Sequence, residues 1–190
     1  AASDVYKRQK QEMIIQNILS RTSVRHFTGK PIEPLQLQIL LRAAMAAPTS
    51  MNFQPWHFIV VDDALLIDKL SKQLPYAKML KEAGLGIVVC GDVSLYDKVN
   101  AMTGEDNTLY WVQDCSAATE NLLLAAHALG LGAVWTGIFP LESRVSLLKE
   151  LLKLSENLVP LNIIVVGNPV SLSDKGKDKW KPERIHYNQL

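Results

Sequence analysis

The residues best equipped for chemistry lie close together near the start of the chain. Arg21-Thr22-Ser23-Val24-Arg25-His26-Phe27 sets two guanidinium groups and a hydroxyl at alternate positions. In an extended segment, side chains two apart share a side, so Arg21, Ser23 and Arg25 would converge on one point. Two fork-shaped cations with a hydroxyl between them suit a phosphate dianion better than a lone carboxylate. A bound phosphate would in turn imply a cofactor. The same residues also read as a solvated helix end bearing ordinary surface arginines, and both readings stay open at this point.

A second basic run lies near the other end, where Lys175, Lys177, Lys179 and Lys181 alternate through a polar stretch. Such a run is commonly a solvated arm, but packed near Arg21 and Arg25 it would complete an anion site. Other chemistries find no support. Neither GxGxxG nor GxxxxGKS/T occurs, and no Ser/His/Asp, paired-carboxylate or metal-ligand constellation is apparent. His57, His127 and His186 are separated and read as structural, while His26 flanks the arginine segment. Cys90 and Cys115 fall outside any CxxC or CxxH spacing and sit in apolar surroundings, which suggests buried free thiols and a reducing cytoplasm.

The elements that must hold these residues come from a chain of 190 residues, long enough to bury one core. Its 48% apolar and 21% charged fractions are those of a globular protein. A net charge of +1 gives no global attraction to nucleic acid or to a membrane surface. Residues 1–11 contain no apolar core of a signal peptide; they resemble adapter-derived or disordered sequence, with the native start near Met13, so residues 12–190 are taken as a single domain. The uncharged stretch Asn121–Leu141 has the length of a membrane span, but Gly130, Gly132 and Pro140 divide it into helix, stop and strand.

Periodicity and punctuation predict a short amphipathic helix through Ile14–Leu19 and a second opened by Glu33-Pro34 and stopped by Pro48. A strand follows at 57–61, then a helix at 64–74, a helical turn near 77–81 and a strand at 85–90, apolar throughout. Residues 93–108 read as a loop or short mobile helix. Thr108 is placed to cap a long helix over 109–129, apolar on most of its circumference. A strand at 133–138, a helix at 142–154 and a strand at 161–166 complete a mixed α/β pattern around one central sheet.

Four elements now stand in a recognisable order: RTSVRHF at 21–27, AAPTSMNFQPWHFIVV at 46–61, DCSAATENLLLAAHALGLGAVWTGI at 114–138 and NIIVVGNP at 162–169 ahead of the basic tail. In this order the chain resembles the nitroreductase family of flavin enzymes from Met13 to Leu190. The resemblance implies an α+β, nitroreductase-like fold, with a central mixed sheet surrounded by helices, and a homodimer binding FMN at the subunit interface. It assigns the FMN phosphate to Arg21, Thr22, Ser23 and Arg25, with a late lysine, Lys177 or Lys179, the second favoured. It assigns Pro48, Thr49, Ser50, Met51 and Asn52 to a loop reaching the flavin from the partner subunit. The amide of Asn52 can both donate to and accept from the pyrimidine edge. Trp135, Thr136 and Gly137 match the strand end near the redox edge, where a missing Cβ lets backbone approach a flat ring.

Two departures from the family pattern stand out. The segment Gln73–Lys78 does not show the Asn and Lys that larger members place against the ring, and the 93–108 region is compact. Both point to the small-subunit branch. The implied activity is ping-pong transfer of hydride from NADH or NADPH through FMN to a nitroaromatic, quinone or related small acceptor, with the chemistry carried by the flavin rather than by a catalytic side chain. Reductive dehalogenation, ene reduction, flavin fragmentation and non-catalytic flavin binding are the alternatives on the same fold.

Overall fold

The computed structural model describes residues 2–172 and 176–189; the side chains of residues 2–6 and 10 fall outside that description, as does Lys175 of the alternating lysines. The chain divides into two compact units, residues 23–172 and a smaller one joining residues 1–22 to 173–190.

The larger unit is built on four strands, β1 (Trp56–Val61), β2 (Gly86–Asp92), β3 (Gly132–Gly137) and β4 (Leu158–Gly167), ordered β1-β2-β4-β3. All three strand pairs are antiparallel. The α+β class therefore stands, but among the described strands the sheet is not mixed. The continuous apolar runs of β2 and β4 report burial on both faces, which a sheet covered on both sides imposes whatever its strand direction. Ile87 and Val89 point into one core with Ile164 and Val166, while Val88 and Cys90 point into the other with Ile163 and Val165.

Helices cover both faces. α2 (Pro34–Met45) and α6 (Tyr110–Ala128) pack on the first, burying Leu40, Ala44, Trp111, Cys115, Ala118 and Leu122. α2 begins with a capping box in which Glu33 and Gln36 exchange hydrogen bonds with each other's backbone N–H. The second face carries α3 (Ala64–Gln73), α4 (Leu80–Ala83) and α7 (Glu142–Leu152), with Ile67, Leu70, Leu80, Val145 and Leu148 buried. Asp63 caps α3 by accepting from the Leu66 N–H at 2.8 Å.

Residues 93–108 take the short-helix form of the two expected, with a 3-10 turn at Val93–Tyr96 and α5 at Asp97–Thr103. Thr108 does not cap α6. Leu109 occupies the N-cap in a helical conformation, and the Thr108 hydroxyl accepts instead from Asn100 Nδ2 at 2.9 Å, tying α5 to the start of α6. Both cysteines are buried free thiols; burial pushes the Cys90 thiol up to about 12. Among the described residues, no helix is long and apolar enough to cross a membrane.

In the smaller unit α1 runs unbroken over Ala2–Ser20, so the helix extends through residues set aside as an extension. Its last turn closes with the Ser20 hydroxyl donating to the Gln16 carbonyl at 2.7 Å. Gly176 lies so close to the Leu19 carbonyl that a Cβ there would overlap it, so a residue without a side chain is needed for the C-terminal arm to dock on the end of α1.

Candidate functional site

β3 is an edge strand, and its unpaired side opens into a cavity. The Ala133 carbonyl accepts from the Val24 N–H at 3.0 Å, whereas the Ile138 N–H donates to Leu161 in β4 at 3.0 Å. Backbone polar groups alternate along a strand, so residues 133, 135 and 137 direct theirs away from β4. Val24 takes up the first of these positions. The backbone groups of Trp135 and Gly137 face the cavity, whose lining includes both residues with Val134 and Thr136. The cavity measures about 540 Å³, in the size class of cofactor sites.

The opposite wall comes from the segment between α3 and α4. Pro75, Tyr76, Lys78, Met79 and Glu82 line it, and Arg25 and His26 close one end. Two contacts bind this wall to β3. The Thr136 hydroxyl donates to the Tyr76 carbonyl at 3.3 Å, and Arg144 of α7 lies over the Tyr76 ring at 5.1 Å while donating to the Gly137 carbonyl at 2.9 Å. Below, Lys81 of α4 and Lys72 both reach Asp68 of α3, at 2.8 and 2.6 Å. Those two ammonium groups hold the Asp68 carboxyl down at about 2. Glu82 accepts from the Phe27 N–H at 3.4 Å and lies 3.9 Å from His26 Nδ1.

The charge around the cavity is mainly positive, from Arg25 and Lys78 with Glu82 as the acidic member. Arg25 is exposed and, among the described residues, has no carboxylate partner. A Cβ built on Gly137 meets no atom within 4 Å, so the space in front of this strand end is open. Backbone donors, cations and a flat unobstructed approach suit a planar, anionic, aromatic ligand.

The loop at 48–54 is separate from this cavity, and none of Pro48, Thr49, Ser50, Met51 or Asn52 lines it. Its backbone is strained: Met51, Asn52 and Gln54 adopt positive φ of 49°, 56° and 50°. A buried carboxylate holds it in that shape. Asp114 of α6, 5% exposed, accepts from the Ser50 N–H at 3.0 Å and from the Tyr96 hydroxyl at 2.8 Å. Burial and the neighbouring carboxylate push the Tyr96 phenol far up, so it remains a donor. Phe53 packs edge-on against the Tyr96 ring at 5.3 Å. Within the loop, Thr49 Oγ1 accepts from the Gln54 N–H and Asn52 Oδ1 from Gln54 Nε2.

The sequence-predicted residues thus divide three ways. Arg25, Trp135, Thr136 and Gly137 meet at one cavity, and Ser23 lies two residues from Arg25 in the same extended segment of the larger unit. Pro48–Asn52 form a different surface of that unit. Arg21, Thr22, Lys177 and Lys179 belong to the smaller unit, where Gly176 packs against Leu19 and Ser20 at the end of α1. Sequence reasoning missed Tyr76, Met79, Glu82 and Arg144, which carry no periodic signal. It also set the 73–78 segment apart as lacking a ring-facing lysine, yet Lys78 stands in the cavity wall. Asp114 was detectable as a lone acid on the buried stripe of α6 between Trp111 and Cys115.

An α+β chain with a cofactor-sized, cationic cavity at an open strand edge fits a cofactor-dependent enzyme. Comparison with known proteins makes this specific. The Nitroreductase family model matches residues 18–74 and 66–168, and the chain belongs to that family of oxidoreductases. It is 41% identical over 177 residues to a "Putative NADH dehydrogenase/NAD(P)H nitroreductase" of Archaeoglobus fulgidus, covering 92% of this chain and 97% of the relative. A crystal structure of the same description from Bacteroides thetaiotaomicron superposes with a TM-score of 0.84 at 40% identity, covering 94% and 98% of the two chains. An FMN-dependent nitroreductase from Clostridium difficile gives 0.79 at 27% identity, covering 93% and 99%.

Proposed function

We propose that the chain binds FMN with its ring in the β3-edge cavity and uses NADH or NADPH to reduce a nitroaromatic, quinone or related small acceptor. The observation carrying this reading is the open strand edge: Trp135 and Gly137 present backbone groups to about 540 Å³ of space, and nothing stands where a Gly137 Cβ would be. The Clostridium difficile relative is FMN-dependent by name, which supports the same cofactor. When bound, FMN supplies the redox chemistry, accepting hydride from the nicotinamide and passing electrons to the acceptor in a second, separate half-reaction.

The residues of the chain bind and orient. In this reading Arg21, Thr22, Ser23 and Arg25 hold the phosphate, joined by Lys177 or Lys179, the second favoured. Trp135 and Gly137 N–H groups donate to the redox edge, with Thr136 bracing the wall through Tyr76. Lys78 adds positive charge beside the ring, where a reduced, more negative flavin is favoured. Pro48, Thr49, Ser50, Met51 and Asn52, absent from the cavity of their own chain, reach the flavin of a partner subunit in a homodimer. The exposed apolar side chains of Met13, Ile14, Ile15, Ile18 and Leu19 on α1 support such an assembly. Two buried free thiols favour the cytoplasm as its compartment.

The test is purification of the full chain with identification of bound flavin by mass, then rapid mixing with NADH and NADPH. Bleaching of bound flavin followed by reoxidation with a nitroaromatic or quinone is expected. The paired substitution Arg21→Ala and Arg25→Ala is expected to abolish FMN retention while leaving the far-ultraviolet circular dichroism unchanged. Wild-type flavin affinity in that variant would make the arginines surface residues only.

A further inference from the structure

We infer that Arg144 is a positioning residue that tunes the flavin's redox balance, fixing the end of β3 and the Tyr76 wall with one guanidinium. This rests on the reading of the cavity as the flavin site. Arg144 does not line the cavity; it reaches from the first turn of α7 behind it. Its Nη1 donates to the Gly137 carbonyl at 2.9 Å, and the same group lies over the exposed Tyr76 ring, 5.1 Å from its centre.

The consequence follows from strand geometry. An open β edge presents N–H donors and carbonyl acceptors in alternation, and an acceptor beside an electron-rich ring edge is repulsive. By taking up the Gly137 carbonyl, Arg144 leaves the N–H as the group that the strand end offers to the cavity. It also places a positive charge beside that donor, on the carbonyl of the same residue, and among the described residues no carboxylate pairs with it. Two-electron reduction with uptake of one proton adds one negative charge to the flavin. A cation at this position therefore stabilises the reduced form more than the oxidised form. The cation–π contact with Tyr76 holds the guanidinium in place, while the Thr136 hydroxyl donates to the Tyr76 carbonyl.

The experiment compares wild type, Arg144→Gln and Arg144→Lys, measuring the dissociation constant of oxidised FMN and the midpoint potential of the bound flavin. Arg144→Gln is expected to weaken reduced FMN about tenfold more than oxidised FMN, which corresponds to a potential about 30 mV more negative for a two-electron couple. Arg144→Lys, which keeps the charge but loses the guanidinium over the Tyr76 ring, is expected to retain a potential closer to wild type. Equal weakening of both redox forms, or an unchanged potential in Arg144→Gln, would overturn the inference by making Arg144 a packing residue. If wild type itself takes up no FMN, the flavin reading fails first, and that outcome is distinct from an unshifted potential in a flavin-loaded variant.

Discussion

The open edge of β3 and the loop at 48–54 both belong to the larger unit, and the proposed function gives both to the flavin, yet they are held in opposite ways. At the strand edge the backbone is regular; the backbone groups of Trp135 and the Gly137 N–H face the cavity, while the Gly137 carbonyl is taken up by Arg144. In the loop the backbone is strained at Met51, Asn52 and Gln54, and several polar groups are already satisfied inside the chain, by Asp114, Thr49 and Gln54. The edge is a receiving surface. The loop is a shaped projection that a buried carboxylate keeps ready to be presented elsewhere, as a second subunit would require. Pre-organisation lowers the cost of binding in both cases, by regular pairing in one and by a hydrogen-bonded anchor in the other.

The largest expected effect breaks the loop while sparing the edge. Asp114→Ala leaves the Ser50 N–H and the Tyr96 hydroxyl without their acceptor, at about 2–4 kcal/mol in urea unfolding. If the proposed homodimer presents this loop to its partner, the same variant should also weaken an FMN-loaded dimer in sedimentation. A stability unchanged in this variant would mean that the loop holds its strained shape unaided. A smaller effect, about 1–2 kcal/mol, is expected for Tyr96→Phe, which removes one of the two donors but keeps the ring against Phe53. The smallest effect touches the cavity wall. The Asp68 carboxyl lies below its ordinary value of 3.8, at about 2, so its pairing with Lys72 and Lys81 is complete above pH 3.8 and is lost as pH falls through about 2. Lys81→Ala should therefore leave thermal stability at pH 7 nearly unchanged, because the pair is exposed. It should also flatten part of the acid limb of the stability profile, and an identical acid limb would detach Asp68 from the wall.

Much of this arrangement was legible in the sequence, and the limits have physical causes. The Arg21–Phe27 spacing indicated an extended segment, and the bridge at Phe27 with the Val24 contact to β3 has that character. Apolar runs located β2 and β4, but double-sided burial reads alike in parallel and antiparallel sheets, so strand direction was not legible. Tyr76, Lys78 and Glu82 meet Trp135 only through tertiary folding, across a loop and a single turn of helix without periodicity. Arg144 resembles any surface arginine of an amphipathic helix until the Gly137 carbonyl is placed beside it. Asp114 left a signal, a carboxylate on a buried stripe, but its partners lie 18 residues back and 64 residues back in the chain.

The claim on which everything else rests is that the space in front of Gly137 receives the flavin ring. FMN titration of Gly137→Val beside wild type tests it most directly. A Cβ at this position meets no protein atom within 4 Å, and a β-branched residue suits a strand, so unfolding stability should match wild type or exceed it slightly. Filling that space should weaken FMN binding at least about tenfold, some 1.4 kcal/mol. Wild-type FMN affinity in a folded Gly137→Val protein would contradict the account.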